Sequence, residues 1–159
     1  MSGRVLLTGM SGTGKSSVLA ELARRGCEVV ETDVGGWCVW GALPGSDNAG
    51  WLWREDWMRE LLGRPRSVPL VVAGCVANQG QFYRLFGKVV LLSAPADVIL
   101  ARVQARTDNP YGKTPEDQAE ILANLRDVEP LLRRGADMEF DTSGMTVAET
   151  ADAVLALVG

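Results

Sequence analysis

Residues 9–16 read Gly9-Met10-Ser11-Gly12-Thr13-Gly14-Lys15-Ser16. The apolar run Val5-Leu6-Leu7 stands just before them, and an amphipathic stretch over 16–25 follows, with Val18, Leu19, Leu22 and Ala23 on one face. The eight residues fit G-x-x-x-x-G-K-[ST] in full, and they do so between a predicted strand and a predicted helix, the context the motif requires. The glycines let backbone N–H groups turn inward around phosphate oxygens, and the helix start adds its own donors and dipole. Lys15 is placed to reach the β- and γ-phosphates and Ser16 to ligate Mg²⁺. The motif implies a nucleoside triphosphate site. It does not say what happens to the γ-phosphate. Gly9, Ser11, Gly12, Thr13, Gly14, Lys15, Ser16 and Ser17 are the candidate nucleotide-binding residues.

Working outward, strand-like and helical patterns alternate along the chain. Gly26 stops the first helix, and Val29-Val30 opens a second short strand ending near Asp33. Residues 35–65 are irregular and Trp-rich, with a helix predicted from about Asn48 to Leu62. Leu70-Val71-Val72-Ala73 is the third strand, and Val89 to Leu92 the fourth, followed by a helix from Pro95 to Ala105. Thr114 caps the next helix, with Pro115 at its first position, Asp117 at N3, and an apolar stripe of Ile121, Leu125, Val128 and Leu132. Pro130 is expected to kink or end it. Met138 to Phe140 is a fifth strand, and Thr146 to Val158 a closing helix. Strands that are continuously apolar and spaced by helices imply an α/β fold, with a parallel sheet covered on both faces. The 159 residues suit one domain spanning 1–159.

Composition narrows the chemistry. The chain has no histidine, which removes Ser-His and Cys-His mechanisms and leaves proton transfer to carboxylates, lysine or water. A net charge of −4 argues against a nucleic-acid partner. No apolar stretch reaches about 18 residues, so no membrane partner is expected. Cys27, Cys38 and Cys75 are an odd count at unrelated spacings, consistent with reduced thiols and a cytoplasmic location. All five tryptophans fall between Trp37 and Trp57.

With the cradle at residue 9 and this order of elements, the chain resembles the small P-loop kinases: shikimate kinase, gluconate kinase and the nucleoside-monophosphate kinases. The resemblance implies a three-layer α/β/α P-loop NTPase fold. Its five-stranded parallel sheet has order 2-3-1-4-5, with an acceptor-binding segment (about 34–66) after strand 2 and a short, mobile lid (about 106–114) after strand 4. It implies ATP and Mg²⁺ as cofactors, a small-molecule acceptor, and a monomer or homodimer. Glu31-Thr32-Asp33 matches the Asp-x-Asp of shikimate kinases, which makes Asp33 the acceptor-orienting general base and Glu31 a support for the metal. Ser16, Glu31 and Asp33 are thus the candidate metal ligands. Trp53-Arg54 parallels the Phe-Arg pair that holds the acceptor's anionic group, with Trp57 where a glutamate is expected. Gly74 parallels the glycine that lets backbone approach the acceptor, and Asn78 and Gln79 fall where polar side chains touch it. Arg102 and Arg106, four apart on one helix face, would close over the phosphates. Thr142 lies in the loop that runs beside the adenine.

The tryptophans carry two readings. They are either core of a small subdomain or aromatic walls of the acceptor site, with Trp37 and Trp57 as the candidates for contact. Trp53 and Trp57, spaced i,i+4, are expected to share a helical face. Two other functions remain open at this level. A non-transferring nucleotide switch is disfavoured, because no acidic residue ends the third strand and no Asn-Lys-x-Asp occurs. A nucleotide kinase proper is disfavoured by the absence of an Asp-Gly-Phe-Pro-Arg-like segment.

Overall fold

A computed structural model describes residues 3–158 of the chain. Residues 1, 2 and 159 of the expected 1–159 domain lie outside them. Five parallel strands form the central sheet: β1 (Arg4–Thr8), β2 (Glu28–Glu31), β5 (Leu70–Ala73), β6 (Lys88–Ser93) and β7 (Met138–Asp141). Their order across the sheet is β2-β5-β1-β6-β7. Counting parallel strands alone, this is the expected 2-3-1-4-5. β1, β5 and β6 lie in the middle and are buried over nearly their whole length, which is why they read as unbroken apolar runs.

One face of the sheet is covered by α1 (Lys15–Arg24) and α6 (Val147–Val158). There Val18, Leu19 and Leu22 pack with Val5, Leu7, Ala151 and Val154. The other face carries α2 (Glu55–Gly63), α5 (Glu129–Gly135) and the end of α4 (Pro115–Asp127), while α3 (Ala96–Ala105) packs with α4 in a separate small cluster. The Thr114 hydroxyl accepts from the Asp117 N–H at 3.1 Å, as its capping role requires.

The expectation for one stretch is corrected. Within 35–53, two short segments are strands, and the helix expected from Asn48 has not begun. β3 (Cys38–Gly41) and β4 (Gly50–Trp53) pair antiparallel as a separate hairpin, and α2 starts only at Glu55. The aromatic and β-branched residues of 38–40 and 51–53 suit a pleated ribbon better than a helix. Trp53 and Trp57 therefore share no helical face. Trp53 ends a strand and is 1% exposed, whereas Trp57 stands on α2 and is 41% exposed. The interruption expected at Pro130 is present: the helix after Thr114 breaks at Val128, two residues ahead of the proline. α5 restarts with the proline in its first turn, where the missing N–H costs no helical hydrogen bond.

Candidate active site

The cradle joins the end of β1 to the start of α1. Gly14 takes φ 100° as the residue before the helix, a left-handed conformation that favours glycine. Gly12, at φ 84°, lies so close to α3 that an added Cβ would stand 2.9 Å from Val103 Cγ2. The Thr13 hydroxyl donates to the Met10 carbonyl at 2.8 Å and closes the turn. A clasp from across the sheet holds the same loop. Arg102 donates to the Gly12 carbonyl (3.2 Å), the Thr142 hydroxyl (2.9 Å) and the Thr142 carbonyl (3.0 Å), while the Thr142 hydroxyl donates to the Thr13 carbonyl at 2.7 Å.

Lys15 folds its ammonium onto the Gly9 (2.5 Å) and Met10 (3.1 Å) carbonyls. Burial holds this ammonium below the ordinary lysine range. Cys75, Asp33 and Glu31 act on it in the opposite sense, and Arg106 adds to the lowering. The groups whose charges reach Lys15 thus include two carboxylates from the end of β2 and an arginine from the end of α3. The Ser16 hydroxyl donates to Glu31 Oε1. Arg106 Nη1 stands 3.4 Å from the Ser11 hydroxyl. The Cys75 thiol is also pushed up, first by burial, so it is a neutral neighbour at neutral pH.

Beyond Asp33 the chain turns back to meet Arg54. The Arg54 Nε donates to the Gly36 carbonyl at 2.7 Å, and its guanidinium lies over the Trp57 ring at 5.1 Å. Trp37 meets Trp57 edge to face, with centroids 5.5 Å apart. Arg54 takes part in no ion pair among the described residues. A guanidinium that is oriented, backed by an aromatic face and free of a carboxylate partner can receive an anion.

The AAA domain family matches residues 5–123. Shikimate kinase from Halorhodospira halophila (strain DSM 244 / SL1) is 31% identical over 150 residues, spanning 89% of this chain and 85% of its own length. The chain belongs to the small P-loop kinases of the shikimate and gluconate kinase-like group. Two solved structures share the kinase's fold. One is a shikimate kinase from Acinetobacter baumannii in complex with shikimate, at TM-score 0.64 and 20% identity, covering 98% of this chain and 92% of its own. The other is a gluconokinase from Sinorhizobium meliloti 1021, at TM-score 0.59 and 22% identity, covering 99% and 91%.

Several side chains of the kinase sit otherwise than the sequence led us to expect. Asn78 and Gln79 were expected at the acceptor, yet both are buried with their amides engaged by protein. Asn78 accepts from the Trp53 N–H (2.8 Å) and donates to the Trp53 carbonyl (3.0 Å), filling the place of a third strand beside β4. Gln79 accepts from the Val76 N–H (2.9 Å) and donates to the hydroxyls of Thr8 and Tyr83, each at 2.9 Å. Arg102 braces the cradle from behind and Thr142 serves the same clasp, so both are engaged by loop carbonyls. A Cβ added at Gly74 would overlap the Thr32 hydroxyl and crowd the Trp53 ring. Trp40 and Trp51 form their own edge-to-face pair on the outer part of the hairpin and are 63% and 56% exposed.

The Asn78 brace carries a prediction. Asn78→Leu would leave the Trp53 N–H and carbonyl buried without partners, so the unfolding free energy should fall by about 2–4 kcal/mol. A denaturant titration would read this as a lower midpoint at unchanged slope. An unchanged midpoint would mean that the hairpin does not depend on this amide.

Proposed function

We propose that this kinase transfers the γ-phosphate of ATP to a hydroxyl group of a small, anionic metabolite. The observation that carries the reading is the phosphate cradle itself, with Lys15 folded onto its Gly9 and Met10 carbonyls, Arg106 Nη1 3.4 Å from the Ser11 hydroxyl and Glu31 at the end of β2 accepting from the Ser16 hydroxyl. Lys15 would swing from the loop carbonyls to the triphosphate. Asp33 would accept the proton of the acceptor hydroxyl and orient its oxygen for in-line attack. Arg106 would offset charge on the transferring group. Arg54, over Trp57 and bonded to the carbonyl of Gly36, three positions along the chain from Asp33, would hold the acceptor's anionic group, with Trp37 and Trp57 as apolar walls.

The residues present suit a magnesium ion. Among the described residues no cluster of three or more His, Cys, Asp or Glu side chains forms a protein-only cage. Magnesium in phosphoryl transfer is held by one or two protein oxygens, with phosphate and water completing the shell. The Ser16 hydroxyl and the Glu31 carboxylate would supply those oxygens, with Asp33 beside them. Bound there, the ion would act as a Lewis acid and offset negative charge on the phosphoryl group in transfer.

No helix among the described residues is long and apolar enough to cross a membrane. The three thiols are free, which suits a reducing cytoplasm. The relatives' names make shikimate and gluconate the first acceptors to try. A coupled ADP-release assay over a panel of hydroxylated carboxylates and phosphates, with Lys15→Ala as the blank, tests the reading. At least one acceptor should raise ADP release well above the background hydrolysis. If none does, the chain is a nucleotide switch and not a metabolite kinase.

A further inference from the structure

Residues 106–114 join α3 to α4, and side chains at both ends hold this lid down. The Lys113 ammonium donates to three carbonyls at the C-terminal end of α3: Val103 at 2.9 Å, Gln104 at 2.5 Å and Arg106 at 2.6 Å. These are the acceptors that a helix leaves without partners where it ends, and a cation there also suits the negative end of its dipole. Gly112 is buried against α3 at φ 95°, and an added Cβ would overlap Val103 Cγ1. Its N–H donates to Asp117 Oδ2 (3.0 Å) and its carbonyl accepts from Gln118 Nε2 (3.2 Å), both from the first turns of α4. Tyr111 packs its ring with Ile99, Val103 and Ile121 and donates its hydroxyl to Glu120.

The consequence falls on Arg106. Its N–H continues the helical ladder to the Arg102 carbonyl at 3.1 Å, its own carbonyl is held by Lys113, and its Nη2 donates to the Tyr111 carbonyl at 2.9 Å. The Nε–H is buried with no partner. The guanidinium is therefore tethered from two sides beside Ser11, with donor capacity left over. A side chain immobilised in this way loses little further freedom when it meets a phosphate.

We propose that Lys113 is a positioning residue: by tying the lid to the last carbonyls of α3, it holds Arg106 over the phosphate cradle before nucleotide arrives. The inference rests on the reading that Arg106 contacts the phosphates, and the experiment separates the two.

Affinities for the β,γ-imido analogue of ATP and for ADP, both with Mg²⁺, are measured on the full chain. The proteins compared are the wild type, Arg106→Met, Lys113→Met, Lys113→Arg and the Arg106→Met/Lys113→Met double variant. Each of the two methionine variants should lower the triphosphate-to-diphosphate preference by about tenfold, the scale of one charge-assisted hydrogen bond. Lys113→Arg should restore most of it, and the double variant should be no worse than Arg106→Met alone. An unchanged preference in Arg106→Met would overturn the phosphate reading and the proposal with it. A changed preference there, with Lys113→Met at the wild-type value or the two effects additive, would overturn the Lys113 role alone. Amide exchange of the wild type decides independently of how the variants fold. The Gly112 N–H should be protected without nucleotide and little changed by it. Rapid exchange that slows only on binding would mean a closing flap.

Discussion

Lys15→Ala should lower the rate of transfer by about three orders of magnitude, the scale expected when a buried electrostatic contact to the reacting group is lost. The wild-type ammonium is partly buried among loop carbonyls, and burial lowers its pKa from the ordinary lysine value. A lysine whose folded pKa lies below its unfolded value is penalised in its charged form. Its contribution is least favourable below the folded pKa and improves as pH rises from there towards the unfolded value of 10.5. Removing the ammonium should therefore leave the nucleotide-free protein no less stable at neutral pH, while triphosphate affinity collapses. Thermal melts with and without Mg²⁺ and ATP read both effects. ATP should raise the wild-type midpoint and leave that of the variant unmoved. A nucleotide-dependent shift surviving in Lys15→Ala would remove this lysine from the phosphate site.

Asp33→Asn is the second large effect. It keeps the shape of the side chain and removes its charge. If the carboxylate takes the acceptor's proton, kcat with a competent acceptor should drop by about 10²–10⁴-fold. ATP affinity should stay within a factor of about two, because the cradle, Lys15 and Ser16 are intact. There is a coupled consequence. Asp33 is one of the charges that raise the Lys15 pKa against burial, so its neutralisation should push that pKa further down. The alkaline fall in triphosphate affinity should then begin at lower pH in Asp33→Asn than in the wild type. Wild-type turnover in the variant would assign proton transfer elsewhere, and an unshifted alkaline limb would mean that Asp33 and Lys15 do not interact.

What could be read beforehand differs from one part of the site to another. The cradle was legible residue by residue, because its geometry is local. Each glycine, the lysine and the serine act through backbone turns and through reach within one loop. The parallel sheet was legible because strands buried on both faces must be apolar throughout, as Val5-Leu6-Leu7 and Leu70 to Ala73 are. The hairpin was not legible. Trp37 to Trp57 lacks a clean alternation, and Asn78, a residue 25 positions away from Trp53, supplies the strand partner that β4 needs. Nothing near Trp53 announces that an amide side chain will complete its backbone hydrogen bonds. The same limit applies to Arg102 and Arg106. Their shared helix face was visible from the i,i+4 spacing, but which of them faces loop carbonyls and which stands beside Ser11 depends on where the end of β7 and the lid arrive.

The sequence by itself determined the nucleotide cradle, the α/β class, the strand order through family likeness, and the exclusion of histidine chemistry, since these rest on local spacing and composition. Only the tertiary structure decided that Arg54 lies over Trp57 with no carboxylate partner, that Asn78 and Gln79 turn inward, and that Lys113 ties the lid to α3. The inward turn of Asn78 and Gln79 joins groups 25 and 71 positions apart, and the Arg54 and Lys113 contacts depend on how the chain turns at the ends of their helices. A buried N–H or carbonyl must be paired, and the partner is whichever side chain the packing brings within about 3 Å.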